Sequence, residues 1–548
     1  MFIIKYYVLG ALISLLAAIY TPQVIISLLL FWVSFSLLLV SIAYVFDIPS
    51  IFRKSQDGKI TWWVRWAFIP FLLGAKAYNA WERRNDKVPP IQQVSDNLYL
   101  SRRLFQSDLD FLESNDISCI VDVTAEFAGL ESAMTDKHFQ YLSIPVLDHK
   151  APTLERLRHA INWIDTQISC SRSVVVHCAL GRGRSVFVVA AYLLSKDPSL
   201  TVDAVMKKIN DVRSTARLNK SQLKTLQAIS EQGVLDLSQP TWMVVNPVAG
   251  AGKWAENEQH LIRKLTQMYP LNIHQTREDL SAKQLTQQAK DHGAKQIIVS
   301  GGDGTVTEVA SQLIETDIQL GIVPLGTANT LCHVLYGIGA KWSPVERACE
   351  VLLSGHCQRI DTAKCNDQLI LLVLGIGLEQ KMIEHAQREE KNALGQLAYL
   401  TGFFNAVVSE ETQTLTVSMD DQSLEHEHND AQTLDVHSFV VANTAPFSTV
   451  LAQGGGAPQP DDGKLHITYL DGTTSLGRRL FALSDLTLTS VGAQDKAKRF
   501  KYTTAQHVTI SSDTNIEYVI DGELYSDKKL VISLQPSSLN VFVPEAKA

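Results

Sequence analysis

Gln296-Ile-Ile-Val-Ser-Gly-Gly-Asp-Gly-Thr305 reads as a short buried strand that runs into a glycine turn, with a helix, Val306 to Leu313, following at once. Gly301, Gly302 and Gly304 surround Asp303. Glycines there let backbone amides approach a polyphosphate closely, and the helix start after Thr305 adds a positive dipole end. An ordinary strand-to-helix turn needs one glycine, not several around a carboxylate. The stretch is a nucleotide grip, and it indicates ATP more firmly than it indicates what receives the phosphate.

Working outward, Thr241-Trp-Met-Val-Val245 opens a strand and helix alternation and ends in Asn246-Pro247-Val-Ala-Gly250-Ala-Gly-Lys253. Lys253 could meet phosphate, although the spacing is not that of a Walker loop. A strand at Asn272–Gln275 and a helix ending near Gly293 lead to the central stretch. Leu320-Gly-Ile-Val323 then feeds Pro324-Leu-Gly326-Thr327-Ala-Asn329-Thr330. Three such turns at strand ends of one parallel sheet would converge on one crevice. Beyond about Arg359 the helices thin out, and 415–418, 436–444, 465–470, 507–511, 516–520, 530–534 and 539–543 alternate like strands of an antiparallel layer.

The Asn-Pro-x-Ala-Gly, Gly-Gly-Asp-Gly-Thr and Pro-Leu-Gly-Thr-Ala-Asn motifs, in this order, resemble the diacylglycerol kinase catalytic domain, which is shared with sphingosine and ceramide kinases. The resemblance runs from Thr241 essentially to the end, with Thr330 where many members have aspartate. It implies a doubly wound α/β lobe (240–358) and a β-rich lobe (359–546) with the active site between them, using ATP and Mg2+. By the same resemblance, Asn246, Pro247, Gly250, Lys253, Gly301, Gly302, Asp303, Gly304, Thr305, Gly326, Thr327 and Asn329 hold the nucleotide. In Ile520-Asp-Gly-Glu523, Asp521 deprotonates the acceptor hydroxyl and Glu523 is its magnesium-linked partner, the parts phosphoryl transfer asks for. Gly454-Gly-Gly-Ala-Pro-Gln-Pro-Asp-Asp-Gly463 gives Asp461 and Asp462 a magnesium role; their other reading is as turn acids. Gly375-Ile-Gly377 and Gly395–Leu400 resemble the segment where relatives take up lipid.

A second chemical motif lies upstream. Ser173-Val-Val-Val176 is a buried strand that delivers His177-Cys-Ala-Leu-Gly-Arg-Gly-Arg-Ser185, and a helix from Val186 to Leu194 carries the chain away. A thiol in a glycine-tightened turn, with a guanidinium six residues on, is a thiolate and a phosphate-dianion site in one loop. This Cys-x5-Arg arrangement resembles the dual-specificity phosphatases, over residues 91–235. The resemblance implies that Cys178 attacks phosphorus, Arg184 clamps the equatorial oxygens and Ser185 eases thiolate departure. His177, Ala179, Leu180, Gly181, Arg182 and Gly183 then cradle phosphate. Asp148, on a loop after a strand, is the general acid in preference to Asp122, which sits inside an apolar strand. Arg213 to Asn219 and Gln222 resemble the loop that positions the hydrolytic water, with Ser214 where many relatives have proline. Arg182 exceeds what the phosphate needs and suggests a lipid phosphate substrate, unless it is simply solvated.

The chain of 548 residues, 46% apolar with a net charge of −8, is large enough for several domains and excludes a nucleic-acid binder. Its seven cysteines form no CxxC pair, as in a reduced, cytosolic setting. Gln23–Phe46 carries no charge and can cross a bilayer; with Tyr6–Tyr20 it reads as a transmembrane hairpin (1–47) turning at Thr21-Pro22 rather than as a signal peptide. Basic residues after Phe46 place the catalytic domains in the cytoplasm, as in a multi-pass protein of a bacterial inner membrane. The segment 48–90 is juxtamembrane; Arg53 to Lys87 holds eight Lys or Arg suited to anionic phospholipids. Its Thr61–Leu73 stretch lies flat at the interface, with a third span as the rival. The overall expectation is a membrane-anchored lipid kinase and phosphatase with a diacylglycerol-like acceptor. A regulatory phosphate-binding role for 91–235, or a soluble acceptor for the kinase, remains open.

Overall fold

The computed structural model describes residues 2–130, 139–337, 339–377, 412–420, 431–444, 458–472 and 501–545. Of the stretches read above, 395–400 and 454–457 lie outside the described residues. The chain forms two compact units, Met1–Thr241 with Glu258–Ile273, and Trp242–Asn257 with His274–Ala548. The apolar amino-terminal segment, the juxtamembrane segment and the Cys178 domain are thus one unit rather than three.

In the first unit, α1 (Phe2–Tyr20) and α2 (Val24–Phe46) pack as a hairpin. The Ser34 hydroxyl donates to the Ala11 carbonyl (2.8 Å) and Ser27 to that of Ala18 (2.7 Å), satisfying hydroxyls that hydrocarbon would not. Among the described residues α2 is the one helix long and apolar enough to cross a membrane; α1 falls short of that measure. Outward side chains stay apolar, Ile13 at 58% and Ile25 at 75% exposure. The Thr61–Leu73 stretch breaks into α3 (Trp62–Ala67) and α4 (Ile69–Asn85), with Pro70 in the first turn of α4, where its missing N–H costs nothing. Neither helix is long and apolar enough to cross, which removes the third span. Trp62, Trp66 and Trp81 are exposed, as an interfacial segment requires.

The sheet of this unit has the order β1-β2-β5-β3-β4, from β1 (Ile91–Ser95), β2 (Leu98–Ser101), β3 (Ile117–Asp122), β4 (Gln140–Ser143) and β5 (Ser173–His177). Only β1 and β2 pair antiparallel; the other pairs are parallel. β5 is central and buried on both faces, as its unbroken Val-Val-Val run demands. The loop between α2 and α3 is built into this domain. Gly129 N donates to Gly58 O (3.0 Å) and Ser143 N to Gln56 O (3.3 Å). A Cβ on Gly58, whose φ is +79°, would sit 2.6 Å from the Tyr141 hydroxyl, so only glycine lets the loop seat.

Most of the second unit hangs on a 13-stranded sheet. Its parallel part is β6 (Thr241–Val245), β8 (Gln296–Gly301) and β9 (Gln319–Pro324), with β7 (Leu271–Gln275) outermost. The antiparallel part holds β10 (Cys357–Cys365), β11 (Gln368–Ile370), β12 (Val373–Gly377), β13 (Gln413–Met419), β14 (Gln432–Ala442), β15 (Leu465–Asp471), β16 (Lys501–Ala505), β17 (His507–Ile520) and β18 (Glu523–Phe542). A parallel contact of β18 with β9, Val541 opposite Leu320, joins the two parts into one sheet. Four of the short strands read from the sequence merge here into two long ones, β17 and β18, because the polar interruptions fall at irregularities of register, between Ser511 and Ile516 in β17 and between Gln535 and Leu539 in β18.

Candidate active sites

The loop after β5 closes on Cys178 before the helix Arg184–Lys196 begins. Gly181 takes φ +68°, and a Cβ on it would lie 2.7 Å from the Ser101 carbonyl, so the turn needs glycine. Gly181 N donates to Cys178 Sγ at 3.3 Å and Ser185 Oγ at 3.2 Å, two donors that favour the thiolate. Cys178 is buried, as is Arg184. The Arg184 guanidinium makes a bidentate pair with Glu126 (2.9 and 2.8 Å) and donates to Val146 O (2.9 Å). Burial opposes its charge, yet Glu126 and then Asp148 hold its pKa well above the ordinary value. Asp148 Oδ1 stands 3.3 Å from the same guanidinium, its carboxylate 42% exposed and open to a leaving group.

Sequence reading gave Glu126 no role here and took Arg213 only as the start of the loop ending at Asn219. Glu126 lies four residues beyond the end of β3 and carries no local sign of its role. Arg213 is fully buried; its guanidinium donates to the carbonyls of Gly181 (2.8 Å) and Leu180 (3.3 Å), which keeps those oxygens turned away from the anion site. Gln222 pairs with Asn219 in a capping box and donates to Lys150 O (2.9 Å), beside the catalytic loop. His177 and Arg182 differ from expectation. The imidazole of His177 is buried 3.8 Å from Asp122, its pKa lowered by burial, and so faces the core rather than phosphate. Arg182 reaches Glu82 (2.7 Å) and Asp86 (3.5 Å) of the α4 region, so its charge is already neutralised and does not argue for an extra anionic group on the substrate. Asp122 is structural: Lys54 Nζ (2.6 Å), the Tyr141 hydroxyl (2.5 Å) and the Thr124 hydroxyl (2.6 Å) all donate to it. Lys54 is therefore spent inside the domain, not on lipid headgroups.

In the second unit the three turns do converge. Asn246 Nδ2 donates to Thr305 Oγ1 (3.0 Å), Lys253 Nζ to Gly326 O (3.1 Å) and Thr330 N to Asp303 Oδ1 (2.7 Å). A Cβ on Gly326 would lie 2.5 Å from Gly302 Cα, and one on Gly250 would lie 2.1 Å from Leu325 O. These glycines are required by backbone packing against backbone. The helix after the grip starts at Asp303, three residues earlier than read, with Gly302 as its N-cap, so the N–H groups of Asp303, Gly304 and Thr305 are its first free donors. Burial raises the Asp303 pKa, opposed by the amides of Thr330, Leu331 and Asn329. Lys253 is tied to the third turn rather than left free. Pro247, Gly301 and Thr327 lie on the same turns, Thr327 exposed.

The diacylglycerol kinase catalytic domain model matches residues 240–365, and the dual specificity phosphatase catalytic domain model matches 98–232. An uncharacterised protein of Synechocystis sp. is 31% identical over 315 residues, 55% of this chain and 70% of that protein. A Streptococcus pneumoniae protein named "Putative lipid kinase" is 25% identical over 303 residues, 55% of this chain and 96% of that one. The crystal structure of a diacylglycerol kinase from Bacillus anthracis covers 57% of this chain and 98% of its own, at 21% identity and a TM-score of 0.42. The chain belongs to the diacylglycerol kinase family and carries a dual specificity phosphatase domain. It is a kinase and a phosphatase in one polypeptide.

In the kinase unit Asp521, at φ +49° on the turn between β17 and β18, accepts from the amides of Leu371 (2.8 Å), Leu372 (3.0 Å) and Val373 (2.9 Å). Burial pushes its pKa up to about 6; the amides oppose the rise and the charge of Asp303 adds to it. Glu523 is exposed. Asp461 accepts from Gln358 (2.6 Å), and Asp462 from His466 Nε2 (2.7 Å), Gln459 N (3.2 Å) and Lys464 N (3.1 Å). Among the described residues no three His, Cys, Asp or Glu side chains gather to hold a metal. Asp461 and Asp462 thus lie on a turn with hydrogen-bond partners of their own.

Proposed function

We propose that the chain is a membrane-anchored enzyme with two reactions. In the kinase unit, Asp521 takes the proton of a lipid hydroxyl, diacylglycerol-like, whose oxygen attacks the γ-phosphorus of ATP; ADP leaves. The turns around Asn246, Gly302–Thr305 and Gly326–Asn329 hold the nucleotide through helix-start amides, with Glu523 beside the base. A divalent metal is expected with the nucleotide from the family alone. In the phosphatase, Cys178 Sγ attacks the phosphorus of a phosphate monoester. The ester P–O bond breaks, and Asp148 delivers a proton to the departing oxygen. Water then attacks the cysteinyl-phosphate, giving its proton to Asp148; the S–P bond breaks and inorganic phosphate leaves. Ser185 and Gly181 stabilise the thiolate at the start and at the end.

The observation that carries this reading is the pairing of Cys178, with two donors on sulfur, to an Arg184 locked by Glu126. A phosphate-binding module has no need of the donors on sulfur. Both α1 and α2 enter the bilayer, anchored by the exposed tryptophans of α3 and α4, with the catalytic units on the cytoplasmic side; anionic phospholipids meet the exposed basic residues of the juxtamembrane segment. The test is incubation of the purified Cys178→Ser protein with labelled ATP, magnesium and micelles of diacylglycerol, sphingosine or ceramide. A labelled lipid that vanishes in Asp521→Asn supports the kinase reading; labelling of a soluble acceptor with none of lipid overturns it. Release of phosphate from p-nitrophenyl phosphate by the wild type but not by Cys178→Ser tests the phosphatase.

A further inference from the structure

A cavity of about 940 Å³ opens on Cys178, Asp148 and Arg184. A phosphate group occupies a small fraction of such a volume, which falls in the range that holds a drug-sized organic molecule. Part of the rest of its wall is phosphatase, from Phe127 and from the loops at Ala179–Gly183 and Arg217–Asn219, and part is not. Tyr7 of α1, Leu37 and Tyr44 of α2, and Phe71 and Gly74 of α4 line it. The outer surfaces of α1 and α2 are apolar and exposed, so the cavity of the catalytic cysteine shares a wall with these two helices.

We propose that the phosphatase substrate is a lipid phosphate monoester whose tail lies between α1, α2 and α4 while its phosphate rests on the Cys178 loop. This rests on the cysteine-dependent phosphatase reading above and names its substrate class. A phosphopeptide would have to place polar backbone against Leu37 and Phe71, leaving its amides without partners. An alkyl tail loses nothing there. One polar group fits the proposal as well: Asn79, 7% exposed and lining the same cavity, has an Oδ1 with no hydrogen-bond partner. A buried acceptor of this kind is met by a hydroxyl of the lipid's polar portion. Apolar walls and Asn79 thus point to lipid where Arg182, held by Glu82 and Asp86, does not.

The test uses the full chain in mixed micelles and reads the ratio of kcat/KM for hexadecyl phosphate to that for p-nitrophenyl phosphate. A Cβ on Gly74 would meet nothing within 4 Å, so Gly74→Trp places an indole in the cavity without a clash at its root. The ratio falls about tenfold in Gly74→Trp, the effect of losing contact for a few methylenes. It stays at the wild-type value in Leu73→Trp, the adjacent position of α4, whose side chain is 61% exposed and lies outside the cavity. Partition into micelles alone would affect both variants alike. In the wild type the ratio rises from butyl to hexadecyl phosphate, and this series is decisive if Gly74→Trp does not fold. An unchanged ratio in a folded Gly74→Trp, a flat series, or faster cleavage of a phosphopeptide than of hexadecyl phosphate overturns the proposal. No Cys178-dependent release from any monoester overturns the phosphatase reading itself, a different result from general release without preference for a tail.

Discussion

Arg184 must be charged, buried and still, and Glu126 provides for all of these through two parallel bonds on one face of the guanidinium. Glu126→Gln keeps the shape but removes the countercharge. Its expected cost is about 3 kcal/mol, roughly a hundredfold in kcat/KM for p-nitrophenyl phosphate, since a buried cation loses its partner. Steady-state kinetics with the folded variant checks this. In the other unit, Asp521 acts as a base only when ionised. Its raised pKa of about 6 means that the kinase rate falls as pH drops through 6 and levels off above it. A pH profile with no limb near 6 removes Asp521 from that role. The Cys178 to Arg184 spacing was legible because both sit on one local turn. Glu126 was not, because it lies 58 positions away and only the packing of β3 beside β5 brings the two together.

At the level of elements, the loop between α2 and α3 enters the phosphatase core rather than merely leading to it. Lys54 is fully buried, and its ammonium bonds Asp122 (2.6 Å) and the Thr124 carbonyl (2.8 Å). Burial opposes the charge of Asp122, but Lys54 and then His177 hold its pKa far below the usual carboxylate range. Lys54→Met strands that carboxylate, with an expected loss of about 3–5 kcal/mol, read as an earlier thermal inactivation of the phosphatase. The double variant Lys54→Met, Asp122→Asn recovers part of the loss; no recovery would separate the two residues energetically. For the same reason the Asp122 contribution is present above the ordinary aspartate range and fades as pH falls below it. The sequence placed Lys54 in a basic run beside the membrane, since nothing local distinguishes a lysine bound for a core from one bound for headgroups. Strand and turn positions were legible from their periodicity, whereas the length of β17 and β18 was not, because a bulge looks like an interruption.

At the scale of the whole molecule, the two reactions belong to separate compact units, and each motif is complete within its own. Cys178→Ser therefore leaves the kinase rate, and Asp521→Asn the phosphatase rate, within about twofold of the wild type, as energetically independent sites do. A larger cross-effect in paired assays would reveal coupling. The apolar helices α1 and α2 belong to the first unit. Translation proceeds from the amino end, so Lys54 and the loop around it exist before Asp122, Gly129 and Tyr141 are made. The phosphatase thus closes over a segment already joined to α1 and α2. A protease cut before Lys54 would leave its loop with the phosphatase, whereas a cut after Gly58 would leave the loop joined to α1 and α2 and tied to the domain only by its contacts. The phosphatase therefore needs residues 54–58 whether or not α1 and α2 stay joined to them.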